Sequence, residues 1–133
     1  MSSTTVDNRA LLLGANNKVK TTLEVAAGAE RTIPKGSALV QKAADGTIFQ
    51  EHSLHLAEPI QGILLNDLLV PADAGVTTHD IERVIDGHID QKLFETQNGL
   101  SIGDIDTIPA GASLSYRLQL ENKGMIPIFR ENL

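Results

Sequence analysis

Four histidines are the side chains best suited to catalysis or metal binding in this 133-residue sequence. Glu51-His52-Ser53-Leu54-His55, with Glu58 beyond, sets two imidazoles three residues apart. A zinc-binding helix needs a spacing of four, with Glu directly after the first His. The fit is poor, and the stretch reads as a solvated polar connector. His79-Asp80 and His88-Ile89-Asp90 put a base beside a carboxylate in sequence, which does not supply the geometry of general base catalysis, and both read as surface pairs. Asp104-Ile105-Asp106 would place two carboxylates on one side of an extended chain, as a glycosidase or a hard cation requires. The Gly and the distal Glu of a calcium loop are missing, so a solvated acidic turn is expected.

Nucleophile motifs are absent as well: there is no Gly-x-Ser-x-Gly elbow and no Ser with Lys three residues on. The glycines, among them Gly36, Gly46, Gly62, Gly87 and Gly111, are scattered singly, so no phosphate-binding loop or dinucleotide motif can be written. The chain has no Cys, hence no thiol nucleophile, thiolate metal site or disulfide, which suits a reducing cytoplasm. Ile33-Pro34-Lys35-Gly36 followed by Leu39 has the look of a β-sandwich carrier domain. Such domains modify a Lys at a hairpin tip, whereas the tip here is Ala44-Asp45-Gly46 and Lys42 lies before it. The expectation is a protein that is not an enzyme, with no cofactor and no metal.

Binding classes are narrowed by charge and composition. Eleven Lys and Arg against 17 Asp and Glu give a net charge of −6, the wrong sign for neutralising a phosphate backbone, and 3% aromatics leave little to stack on bases. Nucleic acid is therefore not an expected partner. No apolar run approaches the roughly 18 residues of a membrane span, and Leu11-Leu12-Leu13 follows no basic region. A soluble, unprocessed chain without a membrane partner is expected. At 41% hydrophobic residues a core can form, and it must be built from Leu, Ile, Val and Ala. The length suits one domain.

The elements that would position these residues are mostly strands. Val19, Thr21, Leu23 and Val25 alternate with Lys20, Thr22 and Glu24, a half-buried strand that Ala26 to Glu30 breaks. Ile33-Pro34-Lys35-Gly36 predicts a type I turn with Pro second and Gly fourth, followed by a strand from Ala38 to Lys42. Asp45-Gly46 is a hairpin signal before Ile48-Phe49. Ile60 to Val70 is the most apolar run and predicts the central buried strand. Ile81, Val84, Ile85 and Ile89 predict another, with Gly87 as a bulge or a point of close approach, ending in a turn towards Leu93 and Phe94. Leu114, Tyr116, Leu118 and Leu120 fit both a strand and a helix. Asn122-Lys123-Gly124 is a good helix stop, which favours a short helix from Ala112 to Asn122 before a closing strand Met125 to Phe129. Thr32-Ile33-Pro34-x-Gly36 recurs as Thr107-Ile108-Pro109-x-Gly111, which reads as repeated turn chemistry.

Residues 1–18 are rich in Ser, Thr and Asn and predict an arm that orders only when something pairs with it. The leucines Leu11, Leu12 and Leu13 either dock on their own domain or form a strand awaiting a partner's sheet edge.

The order of the strand signals carries a resemblance. Gly36 to Leu39, Asp45-Gly46, Pro59-Ile60-Gln61-Gly62-Ile63-Leu64, Val84-Ile85-Asp86-Gly87-His88-Ile89 and finally Leu118 to Lys123-Gly124-Met125-Ile126 resemble the lambda-like bacteriophage head-decoration protein family. In that family a Gly-x-x-Leu strand precedes a Gly-Ile-Leu strand. A hydrophobic strand carrying Gly follows, and then a short helix ending in Gly-Ile. The likeness runs from about Val19 to Phe129. The chain departs from the family in its low aromatic content and in the longer, more polar Thr77 to Ile81, so trimer contacts do not transfer residue by residue. The resemblance implies a mainly β fold, a β-clip-like small barrel or sandwich over 19–133, with one short C-terminal helix and an extended N-terminal arm over 1–18. It further implies a homotrimer made in the host cytoplasm that sits on the outer surface of the phage head and binds the major capsid protein. On that basis the capsid-binding candidates are Leu11, Leu12, Leu13 and Val19. The other classes to weigh are a small-molecule- or glycan-binding β module and a small hydrolytic enzyme.

Overall fold

The computed structural model describes residues 10–14 and 16–130. Five strands close a barrel in the order β1, β4, β3, β5, β7: β1 (Lys18–Val25), β3 (Ala38–Gln41), β4 (Ile48–Glu51), β5 (Gly62–Leu64) and β7 (Thr77–Val84). The period-two pattern of β1 acts as expected, because Thr21, Leu23 and Val25 are buried while the residues between them are not. β1 pairs antiparallel with β7 along its whole length, from Lys18 opposite Val84 to Val25 opposite Thr77, and parallel with β4 on its other edge. The Asp45-Gly46 signal lies in the connection of the antiparallel pair β3–β4, where Asp45 Oδ1 accepts from the Thr47 amide.

Two smaller sheets flank the barrel. β2 (Arg31–Ile33) pairs antiparallel with β6 (Leu68–Val70), and β8 (Gly87–Asp90) pairs in parallel with β9 (Met125–Ile128). The single strand expected over Ile60 to Val70 is therefore two strands in different sheets. Asn66 and Asp67 bend the chain between them, and the Asp67 carboxylate accepts from the Lys35 amide. The strand expected over Ile81 to Ile89 also divides, since β7 ends at Val84 and Gly87 opens β8 with a φ of +97°. Gly87 starts a new strand instead of bulging an old one.

Among the described residues there are two short α-helices, where one was expected. α1 (Gln91–Gln97) occupies the place of the turn towards Leu93 and Phe94, with the Asp90 carboxylate capping it by accepting from the Leu93 amide at 3.0 Å. Seven residues are too few to be helical alone, so α1 is held by the complete burial of Leu93 and Phe94, each worth about 1.5–3 kcal/mol. α2 (Tyr116–Asn122) is the expected helix, shorter at its start because the Ser115 side chain caps it. It stops where Gly124 takes a φ of +87°.

The recurring Pro-x-Gly turn forms the same structure twice. The carbonyl of Pro34 accepts from the Ser37 amide and that of Pro109 from the Ala112 amide, with Gly36 and Gly111 at φ +90° and +81°. Proline is thus first in each turn and glycine third. A positive φ at the third position marks type II instead of the expected type I. The surroundings differ, since Ile33 is buried and Ile108 is 54% exposed.

Burial divides into two cores. One fills the barrel with Leu23, Leu39, Phe49, Leu64 and Ile81, extended by Ile33 and Val70 of the β2–β6 pair. The other lies outside the barrel, where Ile63 and Val84 of its wall meet Ile89, Leu93, Phe94, Tyr116, Leu120 and Met125. Among the described residues no helix is long and apolar enough to cross a membrane.

Candidate functional site

The leucines of the N-terminal segment lie on the domain. Leu11 is 4% exposed and belongs to the outer core, while Leu12 and Leu13 are half-buried. The segment runs antiparallel to β8: Leu12 bridges Ile89, the Leu13 amide donates to the His88 carbonyl at 3.1 Å, and the Asp90 amide donates to the Leu11 carbonyl at 2.9 Å. Farther along, the Asp86 carboxylate accepts from the Asn17 amide and from its Nδ2, each at 2.7 Å. Of the two readings of the leucines, docking on their own domain is the one this arrangement shows for Leu11. Within the arm expected over 1–18, Leu11 packs into the outer core of the domain. Residues 1–9 of that arm lie outside the described residues. Val19 is half-buried on β1 opposite Arg83, well inside the folded unit.

The histidines do not converge. His52 begins a 3-10 turn and is 2% exposed, with its ring edge-on to Tyr116 at 5.7 Å between centroids. Burial pushes its pKa down to about 4, against a backbone hydrogen bond with Glu58 that pulls the other way, so the ring is neutral at pH 7. The expectation of a solvated connector fails here. His52 closes β4 against α2, and its Nε2 has no hydrogen-bond partner among the described residues. His79 bonds Thr77 Oγ1 at 2.9 Å, and His88 is exposed. Among the described residues no three His, Asp or Glu side chains gather as metal ligands would. Asp104 and Asp106 sit in a 3-10 turn instead of an extended chain, and Asp106 pairs with Arg117 at 2.7 Å while Ile105 between them is buried.

Two surface features have the character of binding surfaces. The first is an open groove of about 750 Å³ beside β1 and β7, lined by Thr21, Thr22, Thr47, Asn66, Asp67 and Asp80 among others. These polar groups share the groove with the apolar side chains of Leu64, Leu68 and Ile81, the mixed lining of a small-molecule site. The second is apolar. Of the two i,i+4 pairs around α2, Tyr116 and Leu120 face the core, and Leu114 and Leu118 remain 38% and 46% exposed. Ile126 and Phe129, on or just after the strand next to α2, are exposed too.

No family model, curated protein or solved structure matches this chain.

Several position-setting groups escaped the sequence reading. The Glu95 carboxylate is buried in α1, where Oε2 accepts from the amides of Gly103 and Ile105 at 2.8 and 3.1 Å and so fixes the 3-10 turn that carries Asp104 and Asp106. Asn98 Oδ1 accepts from the Ala38 amide, and its Nδ2 donates to the carbonyls of Gly36 and Phe94, joining the end of α1 to β3. Gln119 of α2 accepts from the Ile60 amide and donates to the Leu114 carbonyl. The missed cap of α1, Asp90, did carry a local signal, an N-cap residue three before Leu93.

Proposed function

We propose that the chain is a bacteriophage head-decoration protein, a virion structural protein that binds the outside of the head as a homotrimer and stabilises the lattice of the major capsid protein. The observation that carries this reading is the order of elements. The segments on which the resemblance rests fall on β3, the β3–β4 connection, β5, the end of β7 together with β8, α2 and β9, in a small β domain with a closed barrel. Exposed Leu114, Leu118, Ile126 and Phe129 support it, because apolar side chains left outside two complete cores are material for an interface. Such a protein works by buried area and symmetry and has no use for a catalytic residue.

In this reading Leu11 anchors the N-terminal segment, and Leu12, Leu13 and Val19 remain the candidates for capsid contact. The test is co-sedimentation of the purified protein with expanded heads of the phage that encodes it, with light scattering for its oligomeric state. Saturable binding in multiples of three is the expected result. A protein that stays in the supernatant and remains monomeric overturns the reading.

The open groove beside β1 and β7 favours a second reading, a small-molecule- or glycan-binding module. That reading requires the isolated monomer to bind a small polar ligand, which a cement protein does not need.

A further inference from the structure

Arg83 of β7 is held in a way that leaves part of its charge unused. Its Nε donates to Thr21 Oγ1 at 2.9 Å, and its Nη1 donates to the Gln61 carbonyl at 2.8 Å. One face of the guanidinium lies over the Phe49 ring, 4.2 Å from the centroid. Thr21 and Phe49 are buried and Arg83 is half-buried. Room for its stem depends on Gly62, where a Cβ would stand 3.0 Å from Arg83 Cδ and 3.1 Å from the Val84 carbonyl oxygen. Three contacts and a vacated position thus fix the orientation of one guanidinium.

Among the described residues the charge has no counter-ion: the ion pairs engage Arg31, Lys42, Arg117 and Arg130, and none engages Arg83. Burial pushes its pKa below the ordinary arginine value, and no acidic side chain among the described residues acts to raise it. A partly desolvated cation ordinarily has an acidic partner. Nη2 makes no hydrogen bond within the described chain and is not sealed from solvent. Both hydrogens of Nη2 and one of Nη1 are therefore not used by the described chain.

We propose that Arg83 is a preformed receptor for one carboxylate, held bidentately on the Nη1–Nη2 edge. The fork geometry matches the two oxygens of a carboxylate better than a single spherical anion, which can take both N–H groups only at less linear angles. One cation in a chain of net charge −6 suits a monoanion better than a phosphate dianion. The carboxylate belongs either to an Asp or Glu side chain of a bound protein or to a small organic acid. The site is a property of the isolated domain and stands whether or not the chain decorates a capsid.

The experiment follows the Arg83 Nε–H and Cζ resonances by NMR at pH 7 during titration with sodium acetate, sodium chloride or sodium phosphate at matched ionic strength. Acetate is expected to give a saturable shift with a midpoint between about 10 and 100 mM, as a single charge-assisted pair allows, and chloride none. Arg83→Lys keeps the charge and removes the fork, so saturation should vanish. Thr21→Val keeps Arg83 and releases its Nε, so the midpoint should rise about three- to tenfold. A blocked tripeptide with a central Glu separates the two sources. Binding at least as tight as acetate indicates a protein side chain, and exclusion of the peptide while acetate binds indicates a small acid. Equal shifts with chloride, phosphate binding more tightly than acetate, saturation in the Lys variant or an unchanged midpoint in Thr21→Val would each overturn the proposal.

Discussion

Substituting Leu11 by Ala should destabilise the whole domain, although the residue lies in a segment whose composition reads as an arm. Leu11 is 4% exposed within the outer core, and truncating a buried leucine costs about 2–5 kcal/mol. The site is near one end of the described chain and can partly collapse, so the low end applies, about 2–3 kcal/mol. Two further losses follow if the segment detaches. The Asp90 amide loses the Leu11 carbonyl and the His88 carbonyl loses the Leu13 amide, each worth about 1 kcal/mol and more where the abandoned group stays buried. Asp90 is fully buried and also caps α1, so the disturbance should reach the helix. For a domain of this size about 2–3 kcal/mol lowers the melting temperature by roughly 8–15 °C. Thermal unfolding followed by circular dichroism reads the shift, and hydrogen exchange should show lost protection at the Leu13 and Asp90 amides. Leu12→Ala and Leu13→Ala, at half-buried positions, should cost less than half as much. A melting temperature within 1–2 °C of the parent for Leu11→Ala, with both amides still protected, would refute the assignment of Leu11 to the core.

Stability should also fall with acid through His52. The unfolded chain takes up a proton near pH 6.5 that the folded chain resists until about pH 4, so this contribution is complete above pH 6.5 and lost as pH falls to 4, by up to about 3 kcal/mol. Denaturant titrations at pH 7 and 4.5 measure the loss, and His52→Phe should abolish most of it; an equal loss in that variant rejects His52 as the origin. Gly62→Ala should cost about 1–3 kcal/mol in the same titrations, because its Cβ meets both Arg83 Cδ and the Val84 carbonyl, and a neutral result would mean that β5 and β7 can separate freely. Glu95→Ala leaves the Gly103 and Ile105 amides without their acceptor, so proteolysis should begin at residues 99–106 and stability fall by about 2–4 kcal/mol; unchanged resistance to protease would contradict the clamp.

The parts of the fold legible in the sequence were those with local causes. The alternation of β1, the Asp45-Gly46 connection and the Gly124 stop all depend on neighbours in the chain. Gln91–Gln97 escaped notice because seven residues with two buried apolar side chains show no helical period, and only the packing of Leu93 and Phe94 makes them helical. Ile60 to Val70 read as one strand because hydrophobicity along a line does not reveal that Leu64 and Val70 enter the barrel core from separate sheets. His52 looked solvated from its polar neighbours, and its burial arises from Tyr116, far along the chain. Arg83 carried no local signal at all, since Thr21, Phe49 and Gln61 meet it only when the barrel closes. The leucines allowed both outcomes because a strand that pairs with its own β8 has the same sequence as one that pairs with a partner.

The proposed role as a capsid cement is tested most directly by heating DNA-filled heads stripped of this protein, before and after adding it back, at low and at physiological salt. A ligand that binds the assembled lattice and not its separated subunits stabilises it by about 2.7 kcal/mol per site at a hundredfold excess over Kd. The account predicts that DNA release moves to higher temperature as sites fill. The shift should persist at physiological salt, because contact through apolar side chains such as Leu118, Ile126 and Phe129 is not screened. The same release temperature at full occupancy, with and without the protein, would contradict it.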